Sequence, residues 1–184
     1  MLRIGPTVRW IVATALAGVV VSLAEAAGVR SSATLLLPGL AMGLAQRIAV
    51  PTRIPPVWTL FSGLAWVAGA LLDATTGFRP AGAGLWLLPT ATMALWQLFL
   101  LNDARRAWPW LPVSLVAALA LQLTAQGACA IGCAPLTARL GPVAATAWTY
   151  GAGFAAYGAI TGAALPWLAR RAPDDPPHAT PGRG

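Results

Sequence analysis

Residues Gly39–Trp66 read GLAMGLAQRIAVPTRIPPVWTLFSGLAW. An apolar helix ends here, a short turn rich in Arg and Pro follows, and a second apolar helix begins. Proline both stops the first helix and suits the opening turn of the next. Gly39 and Gly43 stand four apart on one helix face, a spacing that lets apolar helices approach closely. Two further copies of this corner occur in the chain, so its reading sets the architecture.

Working outward, the composition decides the solvent. The chain is 58% hydrophobic and 9% charged, against roughly 25% charged residues in a soluble domain. Mean hydropathy is +0.69. The apolar runs approach the roughly 20 residues needed to cross a hydrocarbon core. Backbone in lipid must satisfy its own hydrogen bonds, which leaves helices or closed barrels. The runs are rich in Ala and Leu and lack the alternation of barrel strands. The expected fold is therefore all-α, a polytopic transmembrane bundle of about six helices arranged as three tandem hairpins.

The spans expected are Val8–Ala27, Thr34–Val50, Pro56–Asp73, Ala83–Leu101, Trp108–Leu123 and Ala144–Trp167. They place hairpins at 8–50, 56–101 and 108–169 in a bundle of residues 1–171, with a disordered tail at 172–184. The net charge is +7, carried by twelve Arg and no Lys. The Arg residues are scattered over the loops, which speaks for topology and anionic headgroups rather than nucleic acid. If all six segments span, Arg3, Arg9, Arg47, Arg53, Arg105, Arg106, Arg170, Arg171 and Arg183 share one face, and Arg30, Arg79 and Arg139 share the other. That asymmetry puts both termini in the cytoplasm of a multi-pass inner-membrane protein. A competing reading makes the first segment a signal peptide, cleaved at Ala24-Glu25-Ala26.

The hairpins share positions. Odd helices open with Trp10, Trp58 and Trp110, each followed four residues later by a hydroxyl residue, Thr14, Ser62 and Ser114. Even helices carry small pairs, Gly39/Gly43, Thr90/Ala94 and Gly158/Gly162. Three residues on come Gln46, Gln97 and, breaking the pattern, Leu165. The tryptophans are expected in an aromatic belt at the cytoplasmic interface. The Gly pairs are expected to pack within one chain. Gln46 and Gln97 share their depth with the hydroxyls, so amide-to-hydroxyl bonds between helices are expected. Arg47 is not explained by the repeat and is a candidate for special function.

At the other face, Glu25 and Asp73 hold matching sites, fifteen residues after Trp10 and Trp58. Intramembrane carboxylates are functional candidates by default, for a cation or for protons. Interfacial pairing with Arg30 and Arg79, or exposure to water, is the simpler expectation. Cys129 and Cys133 are placed in the loop between the fifth and sixth helices, outside the cytoplasm, where disulfides persist. A bridge is favoured, with two free thiols as the alternative. The single His, His178, lies in the tail, so neither a metal site nor a cofactor is expected.

The chain lacks G-x-S-x-G, H-E-x-x-H and a Walker loop, which makes an enzyme the less favoured class. The GLAQ end with its basic turn, the W-x3-[ST] openings and the closing AAYGAITGAALPWLARR resemble a group of small prokaryotic membrane proteins. These are built from repeated helix pairs with a Gly-x-x-Gln end and a terminal Gly-Ala-Ile-Thr-Gly helix. Members often carry Trp after the Gln, where this chain has Arg47 and, in the second repeat, Leu98. The group has no assigned activity, so the resemblance implies architecture and brings no site residue. The reading favoured is a non-enzymatic accessory, scaffold or lipid-interacting bundle, with a membrane-protein partner or a second copy as candidate partners. The alternative is a small transporter or channel with a polar path near Gln46, Thr90 and Gln97. Pro89, in the fourth helix, would be its best-placed break.

Overall fold

The computed structural model describes residues 5–28, 32–50, 54–77, 86–101 and 107–168, the side chains of 32–35 and 166–168 aside. The tail at 172–184, with His178, lies outside them, as do Arg30 and Arg79. Among the described residues six helices follow one another: α1 Pro6–Ala26, α2 Ser32–Ala49, α3 Val57–Thr76, α4 Leu87–Leu100, α5 Trp110–Leu140 and α6 Pro142–Leu168. Among the described residues there is no strand. The fold is the all-helical one expected.

Each helix packs against its neighbours in the chain, and α6 closes against α1, so the six form a ring. Trp10, Trp58 and Trp110 lie together, which sets the three odd helices parallel and the even ones antiparallel to them. Helix ends are marked by local chemistry. Pro6 occupies the first turn of α1, where its missing N–H is no loss. Gly77 ends α3 in the left-handed conformation at φ 61° and donates its N–H to the Asp73 carbonyl at 3.0 Å, the usual glycine stop.

Polarity is inverted relative to a soluble bundle. Val12, Leu16 and Val20 of α1 are all more than half exposed, and Phe99 of α4 is 75% exposed. Thr14, Gln46, Ser62, Thr90, Gln97, Ser114 and Thr161 are completely buried. Apolar groups facing outward in such numbers suit an apolar solvent. Helices α1, α3 and α5 are long and apolar enough to cross a membrane.

The small-residue pairs pack within the chain, as expected. A Cβ on Gly43 would stand 2.8 Å from the Ser62 side chain on α3, and one on Gly39 would strike the Ser62 carbonyl and Trp66. Gly158 lies over Ile11 and Thr14, and Gly162 over Trp10, all on α1, where an added Cβ would stand 3.0–3.2 Å from its nearest neighbours. The even helix of one hairpin thus seats on the odd helix of the next, and the last seats on the first.

Two expectations are corrected. The segment 124–143 is not a loop: α5 runs 31 residues, against 21 for α1, so it is about 15 Å longer at 1.5 Å per residue. Packing against α6 holds this extension in helical form. Gly132 fits beneath Trp148, whose indole donates to the Ala128 carbonyl at 3.0 Å. The hairpin turns only at Gly141, at φ 87°. Pro89, in turn, breaks nothing. It falls in the first turn of α4, where proline costs no hydrogen bond, and its backbone packs on Gly69.

Candidate functional site

At the tryptophan end the repeated residues converge on one buried network. The Trp58 indole N–H donates to Gln46 Oε1 at 2.8 Å, and the Trp110 indole to Gln97 Oε1 at 3.1 Å. Gln97 Nε2 donates to Ser62 Oγ at 2.8 Å and to Gln46 Oε1 at 3.1 Å. Each amide therefore receives the indole of the odd helix that follows it. The third place holds Leu165, yet Trp10 is still bonded, donating to Thr161 Oγ1 at 2.9 Å. Thr161 stands one turn before Leu165 and passes its own proton to the Tyr157 carbonyl at 2.8 Å. The indoles also touch one another, Trp10 edge-on to Trp110 at 6.2 Å and Trp58 tilted against it at 6.3 Å.

The aromatic-belt expectation is thereby corrected. Trp10, Trp58 and Trp110 are 0%, 2% and 1% exposed and face the ring's interior rather than headgroups. Each indole has an amide or hydroxyl acceptor across the helix seam, and a buried indole N–H needs one. The amide-to-hydroxyl bond is present for Gln97 and Ser62. It is absent for Gln46, whose Nε2 is buried without a partner among the described residues. Thr14 turns instead to the Trp10 carbonyl, at 2.7 Å. Ser114 Oγ has no amide partner, since the residue that would supply it by the repeat is Leu165, and it faces the buried Tyr157 hydroxyl instead. Arg47 lies half-buried in the last turn of α2, next to Gln46 in sequence but outside these bonds.

No known family model matches the chain, nor does any curated protein or solved structure.

At the opposite end the expected residues separate. Glu25 is half-buried and accepts the Tyr150 hydroxyl of α6 at 2.9 Å. Asp73 is 7% exposed, and its carboxylate has no hydrogen bond among the described residues. The carboxylates belong to α1 and α3, which are not neighbours in the ring, so they are not joined in one site. Cys129 and Cys133 both lie within α5, with sulfurs at bonding distance across one helical turn. Cys133 Sγ also lies 3.4 Å from Thr149 Oγ1.

A cavity of about 210 Å³ opens at this end between Trp86, at the start of α4, and the α5–α6 pair. Its aromatic wall is Trp86, edge-on to Tyr150 at 5.1 Å and to Phe154 at 5.5 Å. Gln122 and Gln126 of α5 supply its amides. Thr90, Gln46 and Gln97 are not in its lining; Thr90 is buried and bonded to the Trp86 carbonyl at 2.6 Å. The expectations missed Thr161, Tyr150 and Gln122. For Thr161 a signal existed in Gly158-Ala-Ile-Thr-Gly162; for the other two none stands out.

Proposed function

We propose that this chain is a non-enzymatic, multi-pass protein of the inner membrane, with both termini in the cytoplasm, serving as a lipid-interacting accessory or scaffold bundle. The observation that carries the reading is the use of the interior polar groups. Gln46 Oε1, Gln97, Ser62 and Thr161 bond across helix seams to one another or to the three indoles, and Trp110, in contact with both Trp10 and Trp58, packs with them in the space a permeation path would need. The cavity at the other end does not reach them. This speaks against the transporter or channel reading, whose path would run past Gln46, Thr90 and Gln97.

Sidedness rests on two agreeing features. The Arg asymmetry of the sequence favours the tryptophan end as the cytoplasmic one. The paired sulfurs of Cys129 and Cys133 then fall in the compartment where disulfides last. Retention of α1 is supported by its packing on α6 and by the Trp10–Thr161 bond, which cleavage after Ala26 would remove.

Two measurements test the proposal together. Purification in mild detergent followed by native mass spectrometry is expected to show lipids or a membrane-protein partner copurifying. Purified protein in sealed vesicles is expected to leave ion and small-solute flux at the protein-free level. Sustained flux proportional to protein, abolished by substitutions at Gln97, would overturn the scaffold reading.

A further inference from the structure

We propose that the cavity between α4, α5 and α6 binds the head of a lipid-soluble ring compound carrying a carbonyl or hydroxyl, the chemistry of a substituted quinone or phenol. The inference rests on the reading of the bundle as membrane-embedded and names the class of lipid it takes.

Size comes first. A dry cavity of about 150 Å³ accommodates benzene, and this one measures about 210 Å³. It has room for a single ring with a few substituent atoms, and its lining carries no Arg, Lys or His to pair with a phosphate. Depth comes second. Gln122 lies twelve residues beyond Trp110, about 18 Å along α5 at 1.5 Å per residue. A ligand reaching it from the distal side must enter apolar surroundings, which excludes a strongly hydrated ion or sugar.

The wall chemistry then narrows the class. Trp86, Tyr150 and Phe154 offer ring contacts suited to another ring. Two lining hydroxyls are already committed, Tyr150 to Glu25 and Thr149 to the Ala145 carbonyl at 2.9 Å. Gln122 and Gln126 have no hydrogen-bond partner among the described residues. They stand four apart on one face of α5, a turn above one another. Gln126 is exposed and Gln122 part-buried, so an alkyl chain would leave the Gln122 amide unpaired inside the cavity, whereas a ring carbonyl would accept from it and a ring hydroxyl would donate to it.

The test uses the full chain in detergent, titrated with a decyl-substituted benzoquinone while tryptophan fluorescence is followed. Partitioned quinone gives a linear background, and a bound one adds a saturable component. Saturable quenching is expected for the unaltered protein, with decanol failing to compete. Ala125→Leu, which fills the cavity, is expected to weaken half-saturation at least about tenfold, and Gln122→Leu about fivefold, the range of one hydrogen bond. Both variants should keep the parent melting temperature; if Ala125→Leu does not, Gln122→Leu decides alone. Quenching that never saturates, or that is unchanged by Gln122→Leu, overturns the proposal. Competition by decanol at equal strength would show an alkyl site and overturn it as well. Membrane integration is read separately by carbonate extraction, so failure there is distinguishable from failure of the site.

Discussion

Replacing Gln97 by Leu removes the most connected side chain of the interior at nearly constant volume. Its amide donates to Ser62 and Gln46 and accepts from Trp110, so three interhelical bonds disappear together. Side-chain hydrogen bonds in membrane proteins average about 0.6 kcal/mol, with an upper value near 1.7. Three of them amount to about 2 kcal/mol. The Trp110 indole N–H is also left buried without an acceptor, and an orphaned donor costs about 1–3 kcal/mol. The two effects overlap at Trp110, so the expected loss is about 2–3 kcal/mol. Reversible unfolding in mixed detergent micelles measures it. The sharper readout is the double-mutant cycle with Trp110→Phe, in which the pair should lose less than the sum of the single changes, by about 0.6–1.7 kcal/mol. Purely additive losses, or a Gln97→Leu cost below about 0.5 kcal/mol, would refute the network as a stabilising element.

Thr161→Val removes one acceptor from Trp10 and should cost about 1 kcal/mol, less than Gln97→Leu, in the same unfolding assay. Gly43→Leu drives a side chain into Ser62 and the Thr59 backbone, and should cost about 1–3 kcal/mol through overpacking; an unchanged transition would deny the α2–α3 contact. Leu165→Gln gives Ser114 the partner its repeat position lacks, so it should cost under about 1 kcal/mol, whereas Leu121→Gln, also in the core, should cost about 1–3 kcal/mol. The intact protein should take up no thiol-alkylating reagent without reductant and two equivalents with it; two labels in both conditions would show Cys129 and Cys133 unbridged.

Helices and hairpins were legible because they depend on properties that a linear chain displays. Apolar length, proline-bearing turns and the recurrence of Trp10, Trp58 and Trp110 need no tertiary information. The direction in which those tryptophans point was not legible. A Trp near a helix end satisfies the interfacial preference equally well facing lipid or facing inward, and only the acceptor across the seam decides. The acceptors Gln46 and Gln97 were visible, but their pairing with the following odd helix follows from the ring. The extension of α5 failed for a related reason. The helical form of this extension depends on α6, with Gly132 the seat of Trp148, a tertiary contact that no local signal displays.

The ring also explains why the repeat is imperfect where it is. Within the chain, Gln46 and Gln97 receive indoles from the odd helix reached through the next short turn, Trp58 and Trp110. The third indole, Trp10, must be met by α6, with no connecting turn to set the register of those two helices. Their relative height is set instead by packing, through Gly158 over Ile11 and Thr14 and Gly162 over Trp10. In that register the acceptor falls one turn earlier on the helix, at Thr161, between the two glycines. Leu165 is then released from hydrogen bonding and packs against the tryptophan cluster, leaving Ser114 without its amide. A Gln at 165 and a Thr at 161 are therefore alternative solutions to closing the same ring, and the Gly-Ala-Ile-Thr-Gly segment is the closing contact rather than a divergent copy of the others.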